Sequence, residues 1–225
     1  ADTGAIAATV ADGKGATLAF GGFIDKSAAL AEQRLVNISA RTTAGGGEAV
    51  AIVGFVIDGV ESKTVLLRAV GPTLALNFGV TTAVAAPRLE LRAQRNDGSS
   101  SVFAVNQGWT TAGNTAAVPA AATRAGAFAL GATSADSAIL TTLAPGAYTA
   151  VVSAADGRPG VGLVEVYDLS AASTDQKLRN ISTRAVAGAG DATLSAGLVV
   201  GGSAPKRVLI RAAGPALAQF GLSGT

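Results

Sequence analysis

Short apolar runs, some alternating with polar residues and some continuous, fill most of this 225-residue chain, and glycine, proline or Asp-Gly turns close each one. Between residues 34 and 176 the pattern predicts strands over 35–41, 48–58, 63–70, 87–95, 101–106, 137–143, 146–154 and 161–168. The breaks are Gly45-Gly46-Gly47, Asp58-Gly59, Asn96-Asp97-Gly98, Ala144-Pro145-Gly146 and Gly157-Arg158-Pro159-Gly160. Val65, Leu66 and Leu67 are consecutive, as expected of a strand covered on both faces. Gly71-Pro72-Thr73-Leu74 and Gly214-Pro215-Ala216-Leu217 place proline where a short helix begins, and the alanine-rich run 116–127 adds another helical turn or two. The expected fold is all-β, a β-sandwich with short helical turns.

The pattern repeats. Residues 34–76 match 177–219 without a gap at an offset of 143, with about half the positions identical. Residues 4–25 parallel 146–168 with one residue inserted at the turn, so that Asp25 aligns with Asp168. Three units follow: 1–33, the terminal hairpin of one repeat; 34–176, a complete repeat; and 177–225, the first half of another. The expected β-sandwich repeats are therefore incomplete at both ends.

Composition narrows the chemistry. Cys, His and Met are absent, which removes thiol nucleophiles, imidazole bases and structural zinc, and no cofactor is expected. Charged residues make up 14% of the chain, with 17 basic against 15 acidic. The basic residues are scattered singly, which argues against nucleic acid as a partner. No run of about 18 apolar residues offers a transmembrane helix. The start, Ala1-Asp2-Thr3-Gly4, fits a chain whose signal peptide has been removed, and equally a trimmed fragment.

The series NISxR, GFVIDG, KTVLLRAVGPTL, PRLELRA, AILTTLAPGAYTAVV and GVGLVEVYDLS resembles a repeat found in tandem in large secreted bacterial surface proteins, and the likeness covers essentially the full chain. Its second half is similar in layout to small β-sandwich modules appended to secreted bacterial peptidases. The resemblance implies an extracellular or cell-surface location and modularity, and no established reaction. Where such repeats often carry an Asn/Asp-rich loop before the Trp, this chain has Val105-Asn106-Gln107-Gly108-Trp109, without a carboxylate, so no calcium site is expected there.

Each residue type able to do chemistry also has a structural use. Asp97 and Asp156 precede glycine in turns, Asp58 lies beside Gly59, and Glu165 and Asp168 sit at a strand end, so turn or solvated-face roles are expected over acid-base catalysis and the chain is read as non-enzymatic. Asn37 and Asn180 begin formal glycosylation sequons, but their repeated place at the start of a strand suits capping of backbone groups at a sheet edge. Arg68 and Arg211 lie inside apolar strands before Gly-Pro. Their expected role is structural, a guanidinium stapled to a carboxylate or to loop carbonyls. Trp109 is expected in a satellite core, although exposure with Tyr148 and Tyr167 on one face would favour a carbohydrate-binding module.

The incomplete ends carry the functional expectation. A lone hairpin is unstable, and a half-sandwich exposes strand edges. Ile6, Ala8, Val10, Leu18, Phe20 and Phe23 of the hairpin align with Tyr148, Ala150, Val152, Val161, Leu163 and Val166 of the complete repeat. Their expected receptor is the terminal half, through Ile181, Leu194, Leu198, Val200, Val208 and Ile210. If hairpin and receptor belong to different copies, the contact is head-to-tail and propagates. The expectation is a homopolymer, an extracellular filament or surface-layer subunit joined by hairpin complementation. A stretch of a long tandem-repeat adhesin is the alternative.

Overall fold

The computed structural model describes residues 4–10, 17–24, 33–111, 115–170, 177–202 and 204–221, the first two segments as backbone. The strands are β1 (Gly4–Val10), β2 (Thr17–Ile24), β3 (Arg34–Ala44), β4 (Ala51–Asp58), β5 (Lys63–Val70), β6 (Pro87–Gln94), β7 (Ser100–Gln107), β8 (Ser137–Leu143), β9 (Gly146–Ala154), β10 (Gly160–Asp168), β11 (Lys177–Val186), β12 (Leu194–Gly201) and β13 (Val208–Ala213). The helices are α1 (Pro72–Phe78), which starts at its proline, and α2 (Ala117–Ala125). The predicted strand 48–58 is shortened because residues 47–49 form a 3-10 turn.

The strands form two antiparallel sheets, one ordered β1-β12-β3-β10-β5-β8 and the other β13-β2-β11-β4-β9-β6-β7. This is the expected all-β sandwich. Ile38, Val65, Leu67, Val164 and Val166 of the first sheet meet Val53, Phe55, Leu89, Leu91 and Val152 of the second in one buried core. Alternation explains the fit: in β4, Ala51, Val53, Phe55 and Ile57 are buried while the intervening residues are partly exposed.

The order of the sheets follows from the repeat. The offset of 143 maps β3, β4 and β5 onto β11, β12 and β13, while β9 and β10 have β1 and β2 as counterparts. Exchanging these ten strands with their counterparts turns β1-β12-β3-β10-β5 into β9-β4-β11-β2-β13, the order found in the other sheet. The pivot is a reciprocal joint: β3 pairs with β12, and β11 pairs with β4. Arg41 opposes Ser195, and Arg184 opposes Ile52, which is the same pair after exchange at the offset of 143.

Both halves of the joint carry a β-bulge beside the repeated Asn. Asn180 is the unpaired residue between Arg179 and Ile181, with φ 45°, a conformation asparagine tolerates better than most residues. The Asn37 amide donates to the carbonyls of Val166 (3.3 Å) and Ile38 (3.4 Å). The asparagines do not lie at a sheet edge as expected: β3 lies between β12 and β10, and β11 between β2 and β4. The joint also explains the serine of the motif. Ser182 opposes Gly54 and Ser39 opposes Gly197, and a Cβ at either glycine would stand 2.5 Å or 2.8 Å from the serine hydroxyl.

The loop from α1 to β6 is clamped onto β10. The Val84 N–H donates to the Val161 carbonyl at 2.9 Å, and a Cβ built on Gly71 would lie 2.0 Å from the Val84 carbonyl oxygen. Backbone cannot yield there as a side-chain tip can. Gly71→Ala is expected to destabilise the fold by about 1–3 kcal/mol, read as a lowered midpoint in urea; an unchanged midpoint would mean that this loop is not held against β5.

Candidate assembly interface

The hairpin β1–β2 lies on the terminal half of its own chain. β1 pairs with β12, so that Ile6 opposes Leu198, Ala8 opposes Ala196 and Val10 opposes Leu194. β2 enters between β11 and β13, with Leu18 opposite Ala185, Phe20 opposite Thr183 and Ala212, and Phe23 opposite Leu209. The side chains of the hairpin lie outside the described residues; those of its receptor do not. Leu194 is buried with Ala185 and Ala187 in a small separate core. Ile181, Leu198 and Val200 pack instead against the main core, because β11 and β12 are also the joint strands. Val208 is half-buried and Ile210 is exposed.

Register shows how well hairpin and receptor match. In the complete repeat Gly146 opposes Ile57, and in the other half Gly4 opposes Val200, its counterpart. β2 departs from the alignment by one residue. Leu163 opposes Arg41, but Ala19, not Phe20, opposes Arg184. Phe20 therefore takes the place of Val164, Gly21 that of Glu165 and Phe23 that of Tyr167. A one-residue shift exchanges the two faces of a strand, so the expected match of Leu18, Phe20 and Phe23 with Val161, Leu163 and Val166 is corrected.

That shift matters for charge. In the complete repeat Arg68 is fully buried; its Nε donates to Glu165 Oε2 at 2.8 Å, a second nitrogen reaches the same carboxylate, and a third donates to the Phe128 carbonyl. The guanidinium carbon lies 4.4 Å from the Phe128 ring centre and 5.5 Å from that of Tyr167, whose hydroxyl donates to Glu165 Oε1 at 2.6 Å. Burial and the Glu165 charge push the Tyr167 hydroxyl far above its ordinary pKa. The staple expected of Arg68 uses both a carboxylate and a carbonyl. Arg211, its counterpart, opposes Gly21 as Arg68 opposes Glu165. It is exposed and forms no ion pair among the described residues, so the same staple is absent there.

Several acids among the described residues hold structure. Asp97 and Asp156 accept the N–H two residues on, as turn residues do. Glu165 and Asp168, expected in turn or solvated roles, are buried ion-pair partners instead, Asp168 with Lys63 at 2.8 Å. Burial works against the charge of Glu90, but hydrogen bonds from Arg88 and Arg92 outweigh it and hold its carboxyl below the usual range. Asp136 was not singled out by the sequence. Fully buried, it accepts N–H bonds from Gly71 (2.7 Å) and Thr73 (3.2 Å) and hydroxyl bonds from Thr73 and Ser134. Its only sequence signal is its place between two serines at the start of β8.

Trp109 sits in a satellite core with Leu66, Val118, Ala121 and Tyr167 beneath α2 and donates to the Gly131 carbonyl at 3.1 Å. Trp109, Tyr148 and Tyr167 are 7%, 8% and 7% exposed, so they form no sugar-stacking face. The described residues include no group of three potential metal ligands and no helix long and apolar enough to cross a membrane. No protein-family model, curated protein or solved structure matches the chain.

Proposed function

We propose that this protein is a non-enzymatic structural subunit of the bacterial cell exterior that joins copies of itself head to tail by hairpin complementation. The observation that supports this reading is the register of β1 on β12, which repeats that of β9 on β4. β1 and β12 are thus a fitted pair carried far apart in one chain. The paired form within one chain is the closed state of that contact; exchange of the hairpin between copies is the open state, with the same hydrogen bonds and no new surface to evolve.

A cysteine-free chain allows a direct test. Ala8 and Ala196 face each other across β1 and β12, so the double variant Ala8→Cys, Ala196→Cys under mild oxidation is expected to give a ladder of covalent multimers that grows with protein concentration. Cross-linked monomer at every concentration overturns assembly by exchange. Failure to cross-link at all overturns the pairing itself.

A second reading, a stretch of a long tandem-repeat surface protein, draws support from the reciprocal joint, which ties consecutive repeats of one chain together. The mass of the native polypeptide separates the two.

A further inference from the structure

Basic residues that lie singly along the sequence are collected by the fold onto one face. In the second sheet the core takes Val53, Phe55, Leu89, Leu91 and Val152, so the residues between them point outward. Opposing pairs give two outward rows across β11, β4, β9 and β6: Ser182, Gly54, Thr149 and Arg92 in one, Arg184, Ile52, Val151 and Glu90 in the next. Arg88 lies one step beyond Glu90 on β6, and Arg179 and Lys177 face Val56 and Asp58. These strands hold five cations and two carboxylates in all, and both carboxylates are engaged: Glu90 by Arg88 at 2.8 Å and Arg92 at 2.5 Å, Asp58 by Arg179 at 2.6 Å. Arg184 is exposed and forms no ion pair among the described residues. The positive excess of this one face exceeds the formal net charge of the whole chain, +2.

The rim of the same face is apolar. β7, the outermost strand, carries no charge; Val102 opposes Arg92 and Val105 opposes Glu90, so both share the outer face, and they are 52% and 47% exposed. Phe103, the extra residue of the bulge between them, is 50% exposed. β7 lies inside the complete repeat, with β6 and β8 both in place around it, so this exposure belongs to the repeat itself. At the adjoining turn Arg95 and Asp97 offset each other in charge. A soluble polyanion would meet the arginines and leave the three apolar side chains in water. An anionic bilayer surface takes both, its headgroups against the guanidinium groups and its interfacial zone around the side chains of β7.

We propose that the outer face of the second sheet, with β7 as its inserting rim, docks this protein flat on an anionic lipid surface. The site does not depend on hairpin exchange, since β4, β6, β7 and β9 belong to the complete repeat and present the same face in a closed monomer and in a linked chain.

The probe is a pair of vesicle preparations, phosphatidylcholine alone and phosphatidylcholine mixed with phosphatidylglycerol, sedimented with the full chain. Binding to the mixed vesicles is expected, weakened roughly tenfold or more by Arg184→Glu and about fivefold or more by Val102→Ser combined with Val105→Ser. All three residues are exposed, so the fold should survive the changes. Position supplies a second readout, because the chain has no cysteine of its own. An environment-sensitive dye on Val105→Cys should shift to the blue on mixed vesicles, whereas the same dye on Leu76→Cys, 75% exposed in α1, should not. Absence of binding, equal binding to both preparations, or a shift at Leu76 alone overturns the proposal. So does binding that soluble alginate displaces and the two serine changes leave unaltered, because it assigns the face to an acidic polysaccharide. A dimer of the chain alone that buries Val105 and persists on vesicles overturns it as well, assigning the rim to a second copy.

Discussion

Arg68→Met is expected to cost about 3–5 kcal/mol, because it leaves the Glu165 carboxylate buried without its counter-charge. In a chain of this size that is a fall of roughly 6–20 °C in melting temperature. The counterpart change, Arg211→Met, removes an exposed cation that opposes a glycine and is expected to stay within about 0.5 kcal/mol. Thermal denaturation of both variants checks the contrast. Adding Glu165→Leu to Arg68→Met should recover much of the loss, since a buried pair replaced as a whole by apolar groups is often tolerated. Equal losses in the two single variants would mean that the staple around Arg68 does not hold the complete repeat together.

Phe55→Ala is the second large effect, again about 3–5 kcal/mol. Phe55 is 1% exposed and stacks on Tyr148 with ring centres 5.7 Å apart. It opposes Tyr148 on β9 and Ile181 on β11, so the cavity would open at the joint between the two units. Leu198 occupies the equivalent place in the second unit and is only partly buried; Leu198→Ala is expected to cost distinctly less. Urea unfolding monitored at Trp109, which lies in the complete repeat, measures both. A single cooperative transition in each variant is the expected form, and a split transition in Phe55→Ala would show that the units separate once their joint is loosened.

Strand positions were legible because glycine and proline punctuate this chain sharply and because aliphatic alternation survives wherever one strand face meets the core, as in β4. The buried role of Arg68 was legible from its position in an apolar strand. Three features were not. Pairing of β3 with β12 and of β11 with β4 depends on which repeat a strand chooses as neighbour, and local periodicity is the same for either choice. The recurrence of Ser39 and Gly54 as Ser182 and Gly197 held the clue, since small residues kept at matching places suit close approach. The shift of β2 by one residue is set by ladder pairing with β11 and β13, which alignment across a turn of different length does not determine. Asp136 went unnoticed because a lone acid before a strand looks like a turn residue until the N–H groups of Gly71 and Thr73 are brought to it from 63 and 65 residues away.

The distance along the chain between β1 and β12 has a consequence for synthesis. Gly4 pairs with Val200 and Thr17 with Val186, so this hairpin is made well before the strands that receive it. At about 5–20 residues per second, the intervening chain takes on the order of 10–40 s to make. Under the proposed exchange of hairpins, the choice between a closed monomer and a linked chain becomes a kinetic contest begun before the receptor strands are made.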